Sequence, residues 1–379
     1  MLSIALLIAL SSAPAAADLD GCRRCDFRGV TDCPQHDDEL RELERTVYCS
    51  VAAACADCGG SLALDCEHCG GGPENAPMEA RRAELAAWAS VKHPLEVELD
   101  FDLIRVEDDR FELVGSIRKL KRGKQTVDGH TYFHHLARDC ARTAALIAEH
   151  YQVKAAEDYF GRMRLWVWQS REDHERVMAE HLHSGSTGDY KLLGKDPIFS
   201  ACSSDPIFGN DYDAMLSLGV HNAAHMLTSN LFEEVWIGLD GAGWFDVGLA
   251  HWYEEQVIGR QRNYCVDEAH GRWKWGDPLW RAKTRKYLGK EKDRQITQLV
   301  GMQTGEVPDW GHAMSWSFYD WMVATKPEAL RPILIGLKQR TPARELIRDH
   351  LGMDMFRAED AWRTWVIDTY PRKEKPLRR

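Results

Sequence analysis

Two segments decide how this chain is read: His221-Asn222-Ala223-Ala224-His225, and Trp244-Phe245-Asp246-Val247-Gly248-Leu249-Ala250-His251-Trp252-Tyr253-Glu254-Glu255. The first lies in a proline-free run from Tyr212 to Phe232. Leu216, Val220, Ala224, Leu227 and Leu231 fall there at helical spacing, which predicts a helix. His221 and His225 are four residues apart, so on that helix they share a face and can hold one metal ion together. The second segment predicts a helix from Phe245 to Val257, entered through the glycine turn Gly241-Ala242-Gly243.

Further along stand Gly311-His312-Ala313-Met314-Ser315-Trp316-Ser317-Phe318 and a closing stretch from Leu351-Gly352-Met353-Asp354 through Trp362, Trp365 and Val366. Taken together, these segments resemble the gluzincin branch of the zinc metallopeptidases. That family carries His-Glu-x-x-His and, downstream, a helix of the form Trp-x-x-Glu-Gly-Leu-Ala-x-Tyr-x-Glu. Trp244, Gly248, Leu249, Ala250 and Glu254 match it, and Tyr253 matches one place late. The Gly311 segment is similar to the family's Tyr-Ala-Gln-Ser-Trp helix, with His312 at the tyrosine position. The closing stretch resembles the end of peptidase-MA-like domains. The resemblance runs from about residue 160 onward and implies an α+β fold, with a small mixed sheet ahead of the metal helix and a mostly helical C-terminal part.

The departures from the family fall on the chemistry. Asn222 stands where the family has its general-base glutamate, and an amide cannot take a proton from water. Val247 stands at the third zinc ligand and offers a metal nothing. His251 lies one helical turn after Val247 and faces the same way, so a rearranged site of His221, His225 and His251 is the alternative. Asp246 would need a rotated helix to join it, and Glu254 and Glu255 are expected to lie too far along. Histidine spacing alone carries little. With 16 His in 379 residues, roughly 0.7 His-x-x-x-His pairs arise by chance. His130 and His134 form a second such pair, read as a partly exposed polar helix face.

Eight of the 11 cysteines lie between Cys22 and Cys69. Cys22-x-x-Cys25, seven residues and Cys33-x-x-His36 make one unit; Cys55-x-x-Cys58, seven residues and Cys66-x-x-Cys69 make a second of identical spacing. Each unit offers four ligands on two tight turns, as a tetrahedral structural zinc site requires. Glycines follow the turns (Gly29; Gly59-Gly60; Gly70-Gly71-Gly72), resembling the repeats of DnaJ-type cysteine-rich modules, which implies metal binding. Disulfides are the rival reading for an exported chain, although His36 in a cysteine's place makes sense only for a metal. Cys49 stands outside both units, and Cys140, Cys202 and Cys265 read as buried singles.

Residues Met1 to Ala17 carry an apolar run from Leu2 to Leu10 and end in Ala15-Ala16-Ala17, the pattern of a secretory signal peptide, though without a Lys or Arg at its start. An exported protein, periplasmic or extracellular, is expected. No later stretch reaches the 18 to 20 apolar residues of a membrane span. The formal charge of -11 and the pI near 5.8 argue against nucleic acid or an anionic membrane as partners. The basic tail from Arg372 to Arg379 reads as a solvated end.

The expected organisation is a signal peptide (1–17), a cysteine-rich zinc module (18–72), a linker helix and β-hairpin (73–130), and a gluzincin-like domain (131–379). Within it, helices are expected over Asp37–Val47, Met78–Val91, Tyr132–Tyr151 and Arg171–His181, and a strand over Arg164–Trp168. Leu95–Val106 and Arg110–Ile117 read as a hairpin around Asp108-Asp109, and Lys119–Lys124 as an exposed basic turn. Trp273, Trp275, Trp280, Trp310, Trp316 and Trp321 either fill the core or line a cleft. Three functions fit: a non-catalytic relative of a zinc metallopeptidase that binds a protein or peptide, an active zinc peptidase with rearranged ligands, or a binding protein acting through the cysteine-rich module.

Overall fold

A computed structural model describes residues 22–154, 158–261, 279–288 and 295–374. The expected signal peptide, Cys265, Trp273, Trp275 and the last five residues of the basic tail lie outside the described residues. The chain divides into two units, Met1–Lys92 and His93–Arg379.

The first unit is built from short elements: β1 (Val30–Asp32), α1 (Asp38–Glu44), β2 (Tyr48–Cys49), α2 (Ser50–Ala53), β3 (Ala63–Asp65) and α3 (Asn75–Ala89). Helix α1 starts where the Asp37 carboxylate accepts the N–H of Leu40, an N-cap that satisfies one of the helix's unpaired donors. Strands β1 and β3 pair antiparallel, Val30 opposite Asp65 and Asp32 opposite Ala63. At one end of this ribbon the backbones of Gly29 (φ +84°) and Gly72 cross so closely that a Cβ on either would overlap the other. Only glycine fits such a crossing.

The second unit opens with α4 (Pro94–Leu99), β4 (Ile104–Glu107), β5 (Phe111–Gly115), β6 (Lys119–Arg122) and β7 (Gln125–Asp128). It continues with α5 (Gly129–His150), β8 (Met163–Trp168), α6 (Arg171–Leu182), β9 (Asp189–Leu192) and β10 (Ile198–Cys202). Strands β4, β5, β8, β10 and β9 lie side by side in that order. The β5–β8 and β8–β10 pairs are parallel, and the outer pairs are antiparallel. Side chains alternate across such a sheet. Val114, Trp166, Trp168 and Ile198 accordingly pack on one face with Leu95 and Leu99 of α4 and Val177 and Met178 of α6.

A helical layer follows: α7 (Tyr212–Ser229), α8 (Gly243–Ile258), α9 (Trp280–Leu288), α10 (Asp309–Thr325), α11 (Pro327–Lys338), α12 (Ala343–Leu351) and α13 (Met355–Thr369). The whole is α+β. Every residue of α7 from Met215 to Ser229 is buried, as is every residue of α8 from Gly243 to Glu254. Helices buried on all sides are the centre of their domain. Trp280, Trp316 and Trp321 are buried in this layer, so they fill the core, while Trp310 is half-buried.

Three expectations need correcting. Residues 94–99 form a helix, not the start of a strand. Pro94 takes the first helical position, His93 Nδ1 accepts the N–H of Leu95, and the Glu96 carboxylate accepts the N–H of His93. This reciprocal cap outweighs the alternating apolar pattern. Residues 119–122 form a strand paired with 125–128, turning at Gly123 (φ +62°). Helix α7 stops at Ser229 because the Asn230 amide donates to the Phe160 and Gly194 carbonyls, and Phe232 takes a left-handed conformation (φ +66°).

Beyond the end of α7, the buried Lys338 Nζ donates to the carbonyls of Ser229, Glu233 and Val235 at 2.6, 2.7 and 2.9 Å. These are three acceptors for the three hydrogens of an ammonium. Without the ammonium the Ser229 and Glu233 carbonyls keep the Val235 N–H, and the Val235 carbonyl loses its lysine partner at about 1–3 kcal/mol. Lys338→Met should therefore lower stability by about 1–3 kcal/mol. The measurement is urea unfolding followed by tryptophan fluorescence, which reports on this unit because every tryptophan except Trp88 lies beyond residue 92.

Candidate metal centres

All eight predicted ligands of the first unit come together, but not in the predicted groups. Cys22, Cys25, Cys66 and Cys69 form one cluster; Cys33, His36, Cys55 and Cys58 form the other. The ligand atoms of each cluster lie within 4.8 Å of one another. The expectation of two sequential sites is thus replaced by two nested ones, and the β1–β3 ribbon is the reason. Each strand occupies the seven-residue spacer of one unit. Antiparallel pairing sets the first turn beside the last and the second beside the third.

The distances bear on metal against disulfide. Cys22 and Cys66 sulfurs are 3.8 Å apart, and Cys25 and Cys69 sulfurs 3.7 Å apart. A disulfide requires about 2.05 Å. Four thiolates at 2.3 Å from a central zinc would be separated by about 3.8 Å, the edge of the tetrahedron. In the second cluster His36 Nε2 faces Cys58 Sγ at 3.3 Å, while its Nδ1 lies 2.7 Å from a buried carboxylate oxygen of Glu44. A carboxylate behind a ligating histidine fixes its tautomer and leaves the other nitrogen's lone pair for the metal.

Backbone donors prepare the thiolates. The N–H groups of Cys69 and His68 bring the Cys66 thiol down to about 7. Burial opposes ionisation of Cys55, yet the N–H groups of Cys58 and Asp57 bring it to about 7 as well. Burial and the neighbouring thiolates push Cys58 up to about 12. A dication at the centre would relieve that repulsion. Both clusters could hold a metal ion, and their donor sets fit zinc. Cys49, Cys140 and Cys202 are buried outside these clusters.

The histidines of the second unit meet in its core, and His221, Asn222, His225, His251, Glu254 and His312 are all buried without exposed surface. Starting from α8, Asp246 Oδ1 faces His225 Nδ1 at 3.0 Å, and His225 Nε2 faces His221 Nε2 at 3.2 Å. His221 Nδ1 lies 3.4 Å from Glu254 Oε2, which is 3.3 Å from His251 Nδ1. His251 Nε2 in turn lies 3.0 Å from His312 Nδ1 on α10. Trp236 and Thr304 donate to the second oxygen of Asp246 at 2.9 and 2.7 Å. Burial works against the ionised form of Asp246, but His225 holds its carboxyl below the ordinary value. Glu254 is likewise depressed, with the bonds from His221 and His251 outweighing burial.

This geometry corrects the sequence reading at three points. Glu254 reaches the histidines, since it lies one turn after His251 on the same face of α8. Asp246 reaches His225 without any rotation of the helix. The group of metal-type ligands is His221, His251 and Glu254; His225 is turned to Asp246 instead. Asn222 Nδ2 donates to the Leu218 carbonyl at 2.9 Å. The second pair, His130 and His134 on α5, has ring centroids 4.7 Å apart. His134 is fully buried there and His130 half-buried, so the expected partly exposed polar face holds at His130 alone. Sequence reading missed Glu44 and set aside Asp246 and Glu254. Among the described residues no helix is long and apolar enough to cross a membrane.

The nested grouping makes its own test. Zinc released from the full chain by a thiol-modifying reagent should fall by one ion per chain in Cys25→Ser/Cys69→Ser, which damages one cluster, and by two in Cys25→Ser/Cys33→Ser, which damages both. Sequential sites would give the reverse. Compared with known proteins, the chain matches no family model and no curated protein.

Proposed function

We propose that this chain is an exported, zinc-bearing protein built on a gluzincin-like scaffold whose peptidase chemistry has been lost, and that it works by binding a protein or peptide partner. In this reading the first unit carries two structural zinc ions, and the old catalytic core serves as the frame of the second. The observation that supports it is the state of Asn222. The residue at the general-base position is an amide, buried, and bonded to the Leu218 carbonyl of its own helix. It can neither take a proton from water nor turn toward a substrate without breaking that bond. Val247, at the third-ligand position, is equally buried and apolar.

Loss of a general base alone costs typically 10²–10⁴ in rate. Val247 compounds this, because it leaves no carboxylate at the family's ligand position, and peptide hydrolysis at zinc needs a metal placed where the base can reach its water. The full chain should therefore fail to cleave an unstructured protein such as casein with zinc present. Asn222→Glu alone should stay inactive, since it restores the base without the ligand at 247. Chelator-sensitive casein cleavage by the unmodified chain, lost in His221→Ala, would overturn the proposal.

A further inference from the structure

We infer that His221, His251 and Glu254 form a third metal site, for a divalent ion of the zinc class, offset from the position a gluzincin would use. The inference concerns metal binding only and stands whether or not the chain hydrolyses peptides. The donor atoms are His221 Nδ1, His251 Nδ1 and Glu254 Oε2, and all three side chains are buried.

Two independent features point to an ion. The first is distance. The two imidazole nitrogens lie 3.4 and 3.3 Å from the Glu254 oxygen. Charge-assisted hydrogen bonds run about 2.7–2.9 Å, and the buried pairs His36–Glu44 and His225–Asp246 keep 2.7 and 3.0 Å in this same protein. Donors held 2.0–2.1 Å from a tetrahedral zinc are separated by about 3.4 Å. The Glu254 contacts have the spacing of ligands around a centre.

The second feature is the pattern of hydrogens. Asp246 takes hydrogens from Trp236 and Thr304 on one oxygen, so its other oxygen is placed as an acceptor for His225 Nδ1–H. With His225 neutral, its Nε2 is a lone pair, and His221 gives it a hydrogen from Nε2 across 3.2 Å. That leaves a neutral His221 with the Nδ1 lone pair pointing at a carboxylate. Lone pair and carboxylate repel unless a cation lies between them. The chain Asp246–His225–His221 is thus the carboxylate–histidine support usually found behind a metal ligand, here with one histidine more. His312 Nδ1, 3.0 Å from His251 Nε2, gives the other ligating ring a partner in the same way. His225, the expected second ligand, has become a positioning residue.

The test uses the full chain. After a thiol-modifying reagent has released zinc from the cysteine clusters, wild type reconstituted with zinc should retain one further ion per chain. Glu254→Gln and His251→Gln should each lose that ion while still releasing the thiolate-bound zinc. Wild type that retains none overturns the inference, since a second proton on His221 would then fill the place of the ion. Retention in both variants overturns it too. Should the variants fail to fold, cobalt(II) added to wild type with its thiolate sites already zinc-filled supplies the second measurement. A visible d–d band without thiolate charge transfer is expected, and its absence rejects the site.

Discussion

The second unit depends on how closely α8 approaches α10. A Cβ on Gly248 would lie 2.6 Å from the Ser315 carbonyl oxygen, so the two backbones touch and neither helix can rotate freely. That contact fixes which face of α8 meets each neighbour. Trp252, one turn on, donates to Asp320 of α10 at 2.9 Å. Asp246 and Glu254 face α7 and its histidines, and His251 stands between α7 and α10. A second buried chain follows from the same packing. The hydroxyls of Tyr151 and Tyr253 lie 3.0 and 3.2 Å from that of Tyr319 on α10, and His150 Nδ1 lies 3.0 Å from Tyr253. Buried polar groups are costly unless paired. Here they are paired in lines that stitch three helices together.

The helices were legible because their apolar spacing is regular. Helices α5, α7, α8 and α10 stand close to where periodicity or family likeness placed them. What failed were places where a local cap beats the pattern, as at His93 and Glu96, and places where tertiary reach decides. Glu254 was discounted by counting along α8 from the histidines of α7. Its three-residue spacing from His251 was visible in the sequence all the same. Asp246 was set aside as needing a rotated helix, because its partner, His225, lies on another helix 21 residues away.

In the first unit the ligands were readable and their partners were not. Identical spacing of the two cysteine units makes sequential and nested grouping equally compatible with the sequence. The choice falls to two strands of three residues each, which are too short to announce themselves by alternation. Glu44 was hidden for a related reason. Only the turn of α1 brings it back to His36, and a carboxylate eight residues from a histidine carries no signal by itself.

Nesting also sets how far the two clusters of the first unit can sense each other. The outer cluster joins residues 44 apart and the inner one residues 22 apart. Closing the inner loop first shortens the free chain that the outer must still close by about half. Loop-closure entropy grows only as the logarithm of length, so halving the loop is worth about 0.6 kcal/mol, or roughly threefold in affinity. The topology by itself makes the two sites nearly independent. The β1–β3 ribbon, which joins Cys33 of the inner cluster to Cys66 of the outer one, is the route by which any stronger coupling can pass.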